Sequence, residues 1–168
     1  MAHDRKAAIR TELVNAQQAL LDVLERVRPN DWSQPSRNEG WTVRDLLTHL
    51  ATAETGFVSS LRRMAAGHGG VPADFDPNRW NAGQLRRHGD VAPEKLRSEL
   101  EASHREMLTL LDGLDDAALD HRGHLSSGKE GSTEDNFRLV ADHKRAHTDD
   151  IRAALPRLAS GGTPFGAT

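Results

Sequence analysis

Apolar residues recur at every third or fourth position along four long stretches, and this periodicity constrains the fold more than any other feature of the chain. The first stretch runs from Asp4 to Val27, where Ile9, Leu13, Ala16, Leu20, Val23, Leu24 and Val27 share one helical face. The second carries Val43, Leu46, Leu50, Ala53, Phe57, Leu61 and Met64. The third begins near Pro93 and carries Leu96, Leu100, Met107, Leu111 and Leu114. The fourth follows Ser132 and turns Phe137, Val140, Ile151 and Leu155 inward, until Pro156 stops it. No stretch alternates apolar and polar residues, so no strand is predicted. Four amphipathic helices, each with one stripe to bury, predict an all-α four-helix bundle.

Local chemistry marks the helix ends. Thr42 is a favourable N-cap with Asp45 three residues on, and Trp41 and Leu46 stand where a hydrophobic staple forms. Ser132 and Asp135 repeat the cap signal. "GHGG" at 67–70 ends the second helix. Residues 67–90 then form a long connection with room for a short helical turn near Asn81–Arg87. Loops of that length are uncommon in compact domains and often functional. A second polar connection precedes Ser132.

At 168 residues the chain is long enough for one core, predicted as a single bundle over 1–158 with a flexible Gly-rich tail at 159–168. A net charge of −3 with dispersed basic residues gives no case for nucleic acid. No uncharged apolar run is long enough for a membrane span, and the first ten residues lack the apolar stretch of a secretory leader. A cytoplasmic location is therefore expected. The absence of cysteine excludes disulfides and any protein-borne catalytic thiol.

The stretch "ADHKRAHTDD" carries His143 and His147, four apart and so side by side on a helix. Neutral imidazoles in that relation can ligate one metal ion, or they can be ordinary surface residues. His49 on the second helix is a third candidate. Its flank carries Thr42, Thr52, Ala53 and Gly56, all small. A mid-helix glycine costs about 1 kcal/mol relative to alanine, so Gly56 makes room either for a ligand or for close helix packing. "HKRAH" has Lys144 where a metalloprotease helix has glutamate, so that chemistry is not indicated. Lys144 falls in the apolar stripe, which reads as snorkelling or as a charge reaching into the pocket. His104 reads as a packing residue, and His121 and His124 as solvated loop residues. His68 and His88 bracket the long connection. Its Arg79, Trp80, Arg86 and Arg87 are either solvated or placed to hold a carboxylate or the polar groups of a thiol cofactor.

"GWTVRDLLTHLATAE" (40–54) resembles the second-helix motif of the DinB-like superfamily, and "RLVADHKRAHTDDIRAAL" (138–155) resembles its last helix. That group includes the YfiT-like metal-dependent hydrolases and the N-terminal domain of mycothiol-dependent maleylpyruvate isomerase. The resemblance runs from the first helix to Leu155. It implies an up-down-down-up bundle, a homodimer, and a divalent metal held by three histidines, which map onto His49, His143 and His147. It also implies a low-molecular-weight thiol, of mycothiol or bacillithiol type, transferred to a small-molecule electrophile. Zinc or nickel suits such a donor set. Alternatives are hydrolysis by water activated on the metal, and a non-catalytic binding or dimerisation module. Metal-ligating histidines use their other nitrogen on a carboxylate or carbonyl. Asp45, Asp142, Asp149, Asp150 and Glu54 are the nearby carboxylates.

Overall fold

The structure is a computed structural model describing residues 2–159. Its elements are α1 (Ala2–Leu24), a 3-10 turn (Pro29–Asp31), α2 (Val43–Ala65), α3 (Pro77–His88), α4 (Pro93–Gly113), α5 (Asp116–Asp120), β1 (Arg122–His124), β2 (Glu130–Ser132), α6 (Thr133–Ala154) and α7 (Pro156–Ala159). Four long helices, α1, α2, α4 and α6, form the expected bundle. Residues 160–168 of the expected tail lie outside the described residues, while Ala159 closes α7.

Polar contacts between helix ends fix the directions. Arg5 of α1 donates to Glu134 of α6 at 2.6 Å, and Arg157, just past α6, donates to the Arg26 carbonyl just past α1, so these two helices are parallel. Arg44 near the start of α2 reaches the Gly89 and Val91 carbonyls that precede α4. Arg62 near the end of α2 pairs with Glu106 of α4, so these two are also parallel. Lys6 of α1 donates to the Asp112 and Leu114 carbonyls at the end of α4, where a cation also complements the helix dipole. Asn136 of α6 donates to Ser60 of α2, which makes that contact antiparallel. The connectivity is up-down-down-up.

Both predicted capping boxes form. In α2 the Asp45 amide donates to Thr42 Oγ1 and the Thr42 amide donates to Asp45 Oδ2; Ser132 and Asp135 do the same for α6. The first helix ends at Leu24 rather than Val27. Pro29 holds Arg28 in extended backbone (φ −93°, ψ 160°), which closes off the helix ahead of it. The long connection holds more helix than the expected short turn. Asp76 accepts from the Asn78 and Arg79 amides, Pro77 occupies the first helical position, and α3 runs twelve residues.

The expectation of no strand is corrected by a small hairpin. Arg122, Gly123 and His124 pair antiparallel with Ser132, Gly131 and Glu130. Strands of three residues are too short to show a period of two. The hairpin docks on the segment after α2 through backbone contact, with the Val71 amide donating to the His124 carbonyl at 2.9 Å. A Cβ on Gly70 would lie 2.0 Å from that carbonyl oxygen, so only glycine permits the approach.

The apolar core is divided in two. One cluster gathers Ile9, Leu13, Phe57, Leu61, Met107, Leu111, Phe137 and Val140; the other gathers Leu20, Leu46, Leu50, Leu96, Leu100 and Ile151. Each long helix contributes one member to a buried polar group: Gln17, Glu54, His104 and Lys144. Lys144 Nζ donates to Glu54 Oε1 at 2.8 Å and to Gln17 Oε1 at 2.7 Å, with His104 Nδ1 at 3.4 Å. Neither reading of Lys144 holds: it neither snorkels nor enters the pocket. His104 packs inside the bundle, as expected, and does so within this polar layer. No helix is long and apolar enough to cross a membrane among the described residues.

Candidate metal centre

His49 lies two turns into α2, so the Thr42–Asp45 cap that fixes the helix start also fixes its height and rotation. His143 and His147 lie one turn apart on α6, which is antiparallel to α2. The three imidazoles converge. His49 Nε2 lies 2.7 Å from His143 Nε2, and one ring nitrogen from each of the three residues falls within 4.8 Å of the others. Ring centroids are 4.6–4.8 Å apart, with the rings edge to face.

Burial sets the protonation of this cluster. It pushes His49 down to about 4, with His147 adding to the effect. The Asn81 amide opposes that shift, without hydrogen-bonding geometry to the buried Nδ1, which has no partner among the described residues. Burial likewise takes His143 well below the usual histidine range, with the neighbouring His49, His147 and Lys144 contributing. His147 is lowered by burial against the opposing effect of Asp150. All three therefore stand neutral near pH 7 and offer lone pairs. Two imidazole nitrogens facing at 2.7 Å need a proton or a cation between them.

His147 Nδ1 donates to Asp150 Oδ2 at 3.0 Å, and Arg37 donates to the other Asp150 oxygen at 3.0 Å. That bond places the Nδ1 proton and leaves Nε2 of His147 as the donor toward the cluster. Of the five carboxylates named from sequence, Asp150 touches a triad histidine. Asp45 is absorbed by the cap, and Glu54 by Lys144. Asp142 and Asp149 pair with Arg145 and Arg152. The donor set is thus three neutral nitrogens, one with a carboxylate behind it, and it is capable of holding a divalent cation.

A cavity of about 700 Å³ opens over the triad. Ala53, Gly56 and Phe57 of α2, Leu139 of α6, and Phe75 and Trp80 of the connection and α3 form much of its wall. Both readings of Gly56 contribute, because a Cβ there would touch Trp80 Cζ2 at 3.4 Å. The bare helix surface seats the indole, and the pair then walls the cavity. Sequence periodicity could not find Phe75 or Trp80 as wall residues, since the connection has no stripe. Arg79, Arg86 and Arg87 line a second hollow with Asp74 and Asp76, which shares Phe75 and Trp80 with the cavity over the triad. His88 and His121 are taken up by the Gln84 and Ala65 carbonyls.

Comparison with known proteins identifies the fold and the family. The family model of the DinB superfamily matches residues 12–151. The crystal structure of mycothiol-dependent maleylpyruvate isomerase superposes with a TM-score of 0.76 at 17% identity, over 88% of this chain and 61% of that one. YfiT from Bacillus subtilis, a probable metal-dependent hydrolase with an unusual four-helix bundle topology, superposes with a TM-score of 0.77 at 20% identity, over 95% of this chain and 90% of its own. No curated protein matches the sequence. At these identities the two structures speak for the fold, and the chain spans under two thirds of the isomerase. The match of the family model covers most of the sequence, and the chain belongs to the DinB superfamily.

Proposed function

We propose that this chain is a divalent-metal-dependent enzyme that joins a low-molecular-weight thiol to a small electrophile, with His49, His143 and His147 as the metal ligands. The observation that carries the reading is the convergence of three neutral imidazoles at the floor of an apolar cavity. Three protein ligands leave a position open, which is the pattern of catalytic rather than structural sites. A divalent cation there supplies a Lewis acid that lowers the pKa of a bound thiol or water. Asp150 orients His147, and Phe57 and Trp80 give the cavity over the triad apolar walls. The chain has no cysteine, so the thiol arrives as a cosubstrate. The likeness to an isomerase that depends on mycothiol supports this choice.

Hydrolysis is the second reading, supported by the likeness to YfiT. Elemental analysis of the purified protein, followed by thiol-conjugation and ester-hydrolysis assays with the loaded protein, separates the two. His143→Ala should lose bound metal and activity while keeping helical circular dichroism, because the two apolar clusters hold the bundle together without metal. A variant that is unfolded at neutral pH would point instead to a structural metal and a non-catalytic module. The homodimer implied by the resemblance is read by analytical ultracentrifugation.

A further inference from the structure

The cavity over the triad is long, and its charge is one-sided. It follows α2 from His49 to Arg63, fourteen residues and therefore about 21 Å along the helix axis. The triad closes one end. The other end is framed by Arg63, Gly70 and Val71, and by Ser126 and Ser127 at the tip of the hairpin. The chain carries 25 aspartates and glutamates, yet none of the described ones lines this cavity. Arg63 also differs from its neighbour. Arg62 is neutralised by Glu106 at 2.5 Å, whereas Arg63 donates only to the His68 carbonyl at 3.3 Å, and no carboxylate among the described residues pairs with it. Arg63 is exposed at the open end of the cavity, and a guanidinium there without a carboxylate partner is free to take an anionic oxygen pair.

From this arrangement we infer that the cavity takes an elongated, apolar-bodied carboxylate, held by its acid group at Arg63 with its far end at the triad. Val71, Phe75 and Trp80 cover the apolar body. The inference deepens the proposed function by naming the substrate class. It concerns the end of the cavity remote from the histidines, so it can be tested with no metal present.

The test is calorimetric titration of metal-free protein at pH 8 with dodecanoate and with dodecanamide, which has the same apolar body without the charge. The wild-type protein should bind dodecanoate at least tenfold more tightly than the amide. Arg63→Gln should remove most of that preference while leaving amide binding and zinc affinity unchanged, and Arg63→Lys should keep part of it. Equal affinities for the two ligands, or a preference that survives in Arg63→Gln, would overturn the assignment. Failure of the metal reading shows separately, as absence of zinc binding by a protein that still prefers dodecanoate.

Discussion

Lys144 Nζ and Glu54 Oε1 meet at 2.8 Å in the middle of the bundle, with side chains only 1% and 2% exposed. Lys144 follows a triad histidine directly, and Glu54 lies five residues beyond His49. The contact therefore joins the same two helices that bring the imidazoles together. Buried pairs of this kind add little net stability compared with apolar residues of the same shape, but removing one partner leaves a charge with no solvent. Lys144→Met should thus destabilise the fold by about 3–5 kcal/mol, whereas Lys144→Met combined with Glu54→Leu should recover most of that loss. Urea denaturation of both variants reads the difference. Equal losses in the two would show that the pair is not what the core depends on there.

Asp150 stands behind His147, and a carboxylate in that place strengthens and orients a metal-bound imidazole. Asp150→Asn should lower metal affinity roughly 10–100-fold with little change in melting temperature of the metal-free protein. Competition against a chromophoric chelator gives the affinity. Unchanged binding would mean that the Asp150 contact serves α6 and Arg37 alone.

The lowered histidines make the metal-free fold sensitive to acid. Folded-state values below 6.5 mean that, as pH falls past 6.5, the unfolded chain takes up protons that the folded chain refuses. Stability is complete above that value and declines toward about 4, where His49 itself is protonated in the fold. Each such histidine contributes a slope of up to about 1.4 kcal/mol per pH unit. Denaturation of the metal-free protein at pH 7.5, 6.0 and 5.0 should show the decline, and His49→Gln should make it shallower. A flat profile would contradict the neutral, buried state of the cluster.

Gly56→Leu should displace Trp80 from the face of α2 and fill the cavity, reducing turnover by more than tenfold. Because the site is a cavity wall and not the centre of an apolar cluster, the melting temperature should move by only a few degrees, as for a loss of about 1 kcal/mol. A variant that fails to fold would show that the Trp80–Gly56 contact is chiefly structural.

Much of the bundle and the His143–His147 pair were legible in the sequence because both rest on local rules, while His49 joined the pair through the resemblance to the DinB-like superfamily. Thr42 with Asp45, and Ser132 with Asp135, announce helix starts through backbone chemistry that needs no distant partner. The stripes from Ile9 to Leu24 and from Val43 to Met64 needed only a helical period. His143 and His147 share a face by spacing alone. What stayed hidden depends on other segments. Lys144 in its apolar stripe and His104 as a packing residue were visible within their own helices, but their partners Gln17 and Glu54 were not, and the four become one buried layer only when the helices bring them to one level. The helix over Pro77–His88 has little apolar residue content to mark it, and its signal was the Asp76–Pro77 start. The hairpin depends on Gly70 and Gly123 allowing two backbones to touch, which no single strand of three residues reveals.

Because α2 and α4 run in the same direction, the chain must travel the length of the bundle between them, and residues 66–92 make that journey. The segment that topology obliges the protein to have is also the one that supplies Phe75 and Trp80 to the cavity. Part of the cavity wall thus lies apart in the chain from the three histidines. The imidazoles sit on helices whose inner faces are fixed by packing in the bundle, while much of the return segment lies exposed. Changes in this stretch can therefore alter what the cavity admits while the bundle keeps the three histidines where they are.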